Sequence, residues 1–430
     1  MKDELEAERE KPPQQWEVVT QGSGWASAGR GKVPPEVMPV LKELARPARQ
    51  GDMPWRIELC QHGLRTMERG QHPWLWAALH DALATSLAQS PSGERAENME
   101  RAIEHYSMAM QVRTRQTCPT QWATTQNNLG NAYVGRVMGG RADNLERAIE
   151  HYHRALEVYT RQAFPEQWAM IQNNLGNAYV ARIVGRRAEN MERGIVHYRR
   201  ALEVYTQQTC PDQWATTQNN LGNAYVARIV GGRVENVERA IEHYRRALEG
   251  RTRETCPEQW ANIQNNLGNA YIDRVAGGRA ENLERAIEHY HRALEVYTQQ
   301  DCPEQWAMVQ NNLANAYFRR VEGERAENLE HAIDHCREAL DVYTRQAYPA
   351  DWAMTQNNLG LAYTNRSRGE RARNLEQAIE HFIQALEVYT QEAFPEQRAM
   401  VENNLASVHI GRTWRGGVEP EQRQEGIGMI

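Results

Sequence analysis

Trp76, Trp122, Trp168, Trp214, Trp260, Trp306 and Trp352 are spaced by 46 residues without exception. Prolines 73, 119, 165, 211, 257, 303, 349 and 395 keep the same step. A fixed period of this length makes each unit one supersecondary element, whose apolar face is buried only by its neighbours. It overrides the two or three globular domains that 430 residues would otherwise suggest. The expected organisation is seven repeats, at 73–118, 119–164, 165–210, 211–256, 257–302, 303–348 and 349–394. A divergent helical pair at 31–72 precedes them and a capping helix at 395–412 follows. Segments 1–30 and 413–430 are expected to be a disordered leader and a flexible tail, from their polar composition.

Within one unit, Trp168, Ile171, Leu175, Ala178, Tyr179 and Ile183 recur at helical steps, and Met191, Ile195, Tyr198, Leu202 and Tyr205 form a second stripe. Pro165 suits a first helical turn. Asn190 is expected to N-cap the second helix after the GRRAEN loop. Pairs such as Glu150–Arg154, Glu242–Arg246 and Glu288–Arg292 support its outer face at i,i+4. No alternation competes for a strand, so the fold class expected is all-α. At the far end Arg398, Glu402 and His409 replace the Trp, Gln and Tyr of the inner units, which suits a solubilising cap.

Leu129-Gly130-x-x-Tyr133, Ala148-x-x-x-Tyr152-x-x-Ala155 and then Pro165 resemble a tetratricopeptide repeat (TPR) lengthened from the usual 34 residues to 46. Paired asparagines before Leu-Gly make the units similar to kinesin-light-chain-type TPRs. They are similar also to the near-identical arrays of bacterial proteins that often carry caspase-like CHAT protease domains. The resemblance covers residues 73–412. It implies a right-handed α-solenoid whose first helices line a concave groove.

Composition removes several function classes. The net charge is −6, so no global basic field points to nucleic acid. No apolar run reaches membrane-spanning length. Lysine occurs only at 2, 11, 32 and 42, which leaves no phosphate-binding loop in the repeats, and CxxC, HExxH and GxSxG are absent. Cys118, Cys210, Cys256 and Cys302 share a slot with Phe164, Tyr348 and Phe394, while Cys60 and Cys336 share one with Tyr106, Tyr152 and Phe382. All six therefore read as small core residues in a reducing cytoplasm, and the charged start MKDELEAEREK is unlike a signal peptide. One histidine per unit, from His105 to His381, cannot converge on a metal and is expected on a partly exposed helix face. His331 and His335 flank Asp334 as a metal half-site in one copy only, and His80-Asp81 reads as a surface pair. No metal, cofactor or catalytic residue is expected.

The array itself is then the candidate site. The polar stripe of the first helix includes Asn127 and Asn131, with counterparts Asn173 and Asn177, Asn219 and Asn223, Asn265 and Asn269, Asn311 and Asn315, and Asn357. An asparagine amide suits an extended peptide backbone, and the TPR resemblance implies that use here. Thr124, Met170, Asn262 and Met308 at one end of the stripe, and Asp273, Arg319 and Asn365 at the other, vary between copies and are the selectivity candidates. The second asparagines (Asn128, Asn174, Asn220, Asn266, Asn312, Asn358) read as a ladder between units or as further ligand contacts. Arginines at 136, 182, 228, 274, 320, 366 and 412 read as partners of loop carboxylates or carbonyls, or as anion contacts. The reading is a non-catalytic scaffold for a protein or peptide segment. A self-assembling array and a sensor module with a separate effector are the alternatives. Partner identity and oligomeric state stay open.

Overall fold

The computed structural model describes residues 37–67 and 69–413. The expected leader (1–30) and all but the first residue of the expected tail (413–430) lie outside the described residues. Among the described residues there are seventeen α-helices, one 3-10 turn and no strand. They fall into two compact units divided at Thr209 and Cys210.

The first unit opens with α1 (Met38–Leu44) and α2 (Met53–Arg65). Three helix pairs follow: α3 (Pro73–Gln89) with α4 (Arg95–Met110), α5 (Pro119–Gly135) with α6 (Arg141–Leu156), and α7 (Pro165–Ala181) with α8 (Arg187–Ala201). The second unit has four pairs: α9 (Pro211–Val226) with α10 (Arg233–Gly250), α11 (Pro257–Ile272) with α12 (Arg279–Leu294), α13 (Pro303–Arg319) with α14 (Arg325–Leu340), and α15 (Pro349–Asn365) with α16 (Arg371–Leu386). A single helix, α17 (Pro395–Thr413), ends it.

Each pair forms for the same local reasons. The proline is the first helical residue, where its missing N–H costs nothing. The residue before it is held outside the helical region, at φ −141° and ψ 65° for Phe164. The loop between the two helices turns on a glycine with φ near +80°, from Gly93 through Gly185 to Gly369. The second helix then starts at Arg187 rather than after Asn190, and its N-cap makes no side-chain bond. Asn190 is therefore not an N-cap. It lies inside the first turn of α8, and its Nδ2 donates to the loop carbonyls of Val184 (2.8 Å) and Arg182 (3.3 Å). The amide bonds the loop carbonyls instead of capping the helix, and so closes the loop onto α8.

Within each unit the second helix of a pair packs against the first helix of the next. First helices of successive pairs also touch: α3 with α5 and α5 with α7, then α9 through α17 in the same alternate order. This places the first helices on the inner side of each unit's curve, an α-solenoid arrangement. The core runs through Leu129, Ala132 and Tyr133 of α5 and Ala148, Ile149 and Tyr152 of α6, and through their equivalents. A Cβ on Gly130 would stand 2.5 Å from the Tyr152 ring, so the glycine is there for that ring.

Candidate functional site

Four polar rows run through the pairs, and their positions sort the candidate residues. The paired asparagines form an inter-repeat ladder. The second asparagine donates through Nδ2 to Oδ1 of the first asparagine one repeat earlier: Asn174 to Asn127 (3.0 Å), Asn266 to Asn219 (3.1 Å), Asn312 to Asn265 (2.9 Å), Asn358 to Asn311 (3.0 Å) and Asn404 to Asn357 (3.0 Å). Asn127, Asn265, Asn311 and Asn357 are buried, and Asn173 and Asn219 are half-buried. The first asparagines thus face the neighbouring helix, not the open surface expected for them. A buried amide must be paired, and the next repeat supplies the pair.

The second row stays open. Asn131, Asn177, Asn223 and Asn269 are exposed on the first helices. Each Oδ1 accepts a 2.7 Å bond from a buried tyrosine hydroxyl of the second helix: Tyr152, Tyr198, Tyr244 and Tyr290. This fixes the amide plane and turns Nδ2 outwards. For Asn131, Asn223 and Asn269, Nδ2 has no partner among the described residues. The row changes in the last pairs. Cys336 replaces the tyrosine beneath Asn315, whose Oδ1 is buried without a hydrogen bond. Leu361 over Phe382 removes both polar partners together.

A third row explains the histidines. His151, His197, His289 and His335 each bond through Nδ1 to a glutamine Oε1 (Gln126, Gln172, Gln264, Gln310) at 2.6 or 2.7 Å. Their rings stack on Tyr133, Tyr179, Tyr271 and Tyr317. Burial pushes all four down to about 4, helped by neighbouring guanidiniums at the first three and neighbouring histidines at His335. They are structural and neutral at pH 7, more enclosed than the partly exposed face expected of them. His331 lies tilted against the same Tyr317 ring, at 5.0 Å between centroids. No cluster of three or more metal-ligating residues occurs among the described residues.

The arginines form the fourth row. Arg136 grips Glu100 with both Nε and Nη2 at 2.7 Å, and its Nη1 reaches Asn144. Arg182–Glu146, Arg274–Glu238, Arg320–Glu284 and Arg366–Glu330 repeat this pairing. The carboxylate comes from the second helix of the preceding pair, not from the loop. Each fork therefore joins two repeats, bidentately and half-buried. Arg412 lies among residues whose side chains are not described.

The first pair departs from all four rows. His80 takes the glutamine slot, is buried, and meets His105 Nδ1 to Nδ1 at 2.8 Å. Asp81 takes the asparagine slot and accepts from Thr125 (2.8 Å) and Arg113 (3.3 Å). His80-Asp81 is thus no surface pair; its two side chains are held by two different helices.

Among the selectivity candidates, Thr124 is exposed and shares a 2.6 Å bond with Tyr159. Met170 is exposed, Met308 is half-buried, and Asn262 accepts from Asn266. Asp273 is paired with Arg233 at 2.6 Å, while Asn365 bonds back to its own helix at Leu361 O. Arg319 is half-buried in the same slot as Asp273. All six cysteines are free thiols; Cys60 and Cys336 are buried. No described helix is long and apolar enough to cross a membrane.

Family comparisons converge on helical repeats. The tetratricopeptide repeat description matches residues 352–392, and the Sel1 repeat description matches 123–157, 215–250 and 263–295. No curated protein matches the sequence. The apo form of RapI is similar over 88% of this chain and 98% of its own, at 13% identity and a TM-score of 0.56. That likeness is one of fold. The APC/C hetero-tetramer Cut9-Hcn1 is similar at 14% identity and a TM-score of 0.47 over 92% of this chain. This chain spans 66% of that one, a little under two thirds. A Rap protein complexed with competence and sporulation factor matches at 15% identity and a TM-score of 0.47, over 88% of this chain and 99% of its own.

Proposed function

Since the chain is a TPR-family repeat protein, we propose that it is a non-catalytic interaction module that holds an extended peptide or protein segment along its inner helices. The observation that carries this is the Asn131 row. Asn131, Asn223 and Asn269 are exposed, oriented from below by a tyrosine hydroxyl, and present Nδ2 outwards from the same slot of their repeats. A main-chain carbonyl is the natural acceptor for such a row, because it recurs in any sequence. The buried first asparagines act one step back, as the ladder that sets the distance between successive exposed amides.

The test copies a natural pair. Leu361 over Phe382 occupies the same slots without either polar group, so Asn223→Leu with Tyr244→Phe, and Asn269→Leu with Tyr290→Phe, should pack. A displayed random-peptide library selected on the wild-type chain supplies the ligands. Each bond lost is worth about 0.5–1.5 kcal/mol, so the four-substitution variant should bind the selected peptides about tenfold more weakly or worse. Equal affinity in a variant that melts normally would refute the groove reading.

One observation favours a second reading, side-by-side packing of arrays. Loop residues Ile229, Val275 and Val321 are each more than 60% exposed at the same position in three of the four repeats of the second unit. Light scattering decides it: a monomer whose mass is independent of concentration removes lateral assembly.

A further inference from the structure

A Val-Tyr pair recurs after the second helices, at 158–159, 204–205, 296–297, 342–343 and 388–389, and two copies break it. Val112 and Arg113 stand there in the first pair, Gly250 and Arg251 in the fourth. The tyrosine is a neutral tie. Tyr159 and Tyr297 donate to the main-chain carbonyls of Thr120 (3.0 Å) and Glu258 (2.9 Å), at the start of the first helix of their own pair. The two arginines that replace it have different surroundings. Arg113 has a counterion within the fold: Asp81, in the first-asparagine slot of α3, lies 3.3 Å from its Nη1, and Thr125 of α5 accepts from the same nitrogen at 3.2 Å. Three repeats further on, these two slots hold Asn219 and Ile263, so neither a carboxylate nor a hydroxyl is there for Arg251.

Arg251 turns instead to the polar stripe of α9. Its Nη2 donates to Thr216 Oγ1 at 2.7 Å and reaches Asp212 O at 3.4 Å, the carbonyl that matches the tyrosine's acceptor in other pairs. Gly250 lets the chain lie close to α9 there: a Cβ on it would stand 3.0 Å from Pro211 O and 3.2 Å from the Trp214 ring. The guanidinium is half-buried and makes no ion pair among the described residues. Its Nε is buried with no hydrogen-bond partner, a cost to the fold that a tyrosine would not carry. Thr216 stands seven residues, two helical turns, before Asn223. The cation and an exposed amide therefore share one face of α9, about 10 Å apart.

We infer that Arg251 anchors an acidic side chain of the bound segment, so that the partner carries an aspartate or glutamate opposite the start of α9. The inference rests on the groove reading above and adds register to it. Thr216 steadies Nη2, which leaves the Nη1 side of the guanidinium to meet a carboxylate through charge-assisted bonds, the part that Asp81 plays for Arg113. Backbone capture is alike wherever an amide is exposed; a guanidinium without a counterion beside the amide row fixes which residue of the partner lies where.

The experiment uses the full chain, at low salt, with two fluorescent capped peptides. One alternates alanine and glutamate; the other alternates alanine and glutamine. Wild type should bind the glutamate peptide about tenfold more tightly, the scale of one charge-assisted bond. Gly250→Val with Arg251→Tyr restores the Val-Tyr of the other pairs, so it should melt no lower than wild type while the preference disappears. Arg251→Gln keeps a donor for Thr216 and removes the charge. It should lose the preference too, and it decides the matter alone if the double variant is destabilised. If both peptides bind the wild type equally, or the preference survives in Arg251→Gln, the anchor is wrong and the groove reading stands. If neither binds while the library-selected peptides do, the anchor again fails alone. If no peptide binds at all, the groove reading fails and takes the anchor with it. Inorganic phosphate is the control for a free anion. Should it raise the wild-type melting temperature above that of Arg251→Gln at matched ionic strength, with no glutamate preference, the position takes free oxyanions and not a peptide side chain, which also overturns the proposal.

Discussion

At the scale of single residues, three slots change together. Gly130, Asn131 and Tyr152 form one set: the glycine admits the ring, and the asparagine accepts its hydroxyl. In α13 and α14 the set becomes Ala314, Asn315 and Cys336, and the smaller thiol leaves room for the alanine methyl. In α15 and α16 it becomes Gly360, Leu361 and Phe382, a ring without a hydroxyl over a side chain without an amide. Cys336→Tyr alone should then destabilise the chain by about 1–2 kcal/mol through overpacking against Ala314. The first pair moderates this figure, since Ala84 and Tyr106 coexist there, both buried. Adding Ala314→Gly should reverse the loss, because the new hydroxyl also meets the unpartnered Oδ1 of Asn315. A double-mutant cycle by urea denaturation reads the coupling, expected at about 1 kcal/mol or more; additive effects would refute the linkage. The return of glycine at 130, 176, 222, 268 and 360 was legible in the sequence. The tyrosine–asparagine bond was not, because both residues carry other strong readings, core and groove, and spacing alone does not show that a phenol reaches across two helices.

At the scale of the helix pair, the loop decides the geometry. Gly231 turns the chain at φ +85°, and Asn236 ties the loop by donating to Val230 O (3.1 Å) and Arg228 O (3.2 Å). The next residue, Gly232, has φ −74° and open space where a Cβ would go. Adjacent glycines should therefore respond in opposite directions. Gly231→Ala forces a left-handed backbone on an L-residue and should cost about 1–2 kcal/mol. Gly232→Ala reduces the freedom of the unfolded chain and should stabilise by about 0.4–1 kcal/mol. Urea midpoints of the two variants check this; equal shifts would mean that the loop backbone is not held as described. The two helices of each pair were legible from apolar spacing and the proline. The loop's closure was not, because asparagine before an apolar run is the usual sign of a cap. Here Arg182 and the loop carbonyls compete for the same amide and win.

At the scale of the whole molecule, stability is close to a sum of repeat terms and nearest-neighbour terms. The constant period is enough to make that architecture legible in the sequence. It did not reveal which polar row belongs to the interfaces, because a ladder and a ligand strip share the same 46-residue spacing and differ only in which way the amide faces. A term present once per repeat is multiplied along the chain, and the buried histidines are such a term. His151, His197, His289 and His335 are held near 4 in the folded state by burial, against about 6.5 in an unfolded chain. The unfolded state thus binds more protons between these values, so acid favours unfolding. The stability is fully present above about pH 6.5 and is lost progressively as the pH falls towards 4. Glu100 and Glu330, held below the ordinary carboxylate value by Arg136 and Arg366, add a second loss at lower pH. Melting temperatures should therefore drop steadily through mild acid, before the carboxylates titrate. Replacing His151, His289 and His335 by asparagine keeps an N–H donor for each glutamine and removes the titrating ring. The variant should start less stable at pH 7.5, through lost stacking on the tyrosines, yet show a flatter profile between pH 6.5 and 4.5. Parallel profiles for variant and wild type would show that these histidines are not the source of the acid sensitivity.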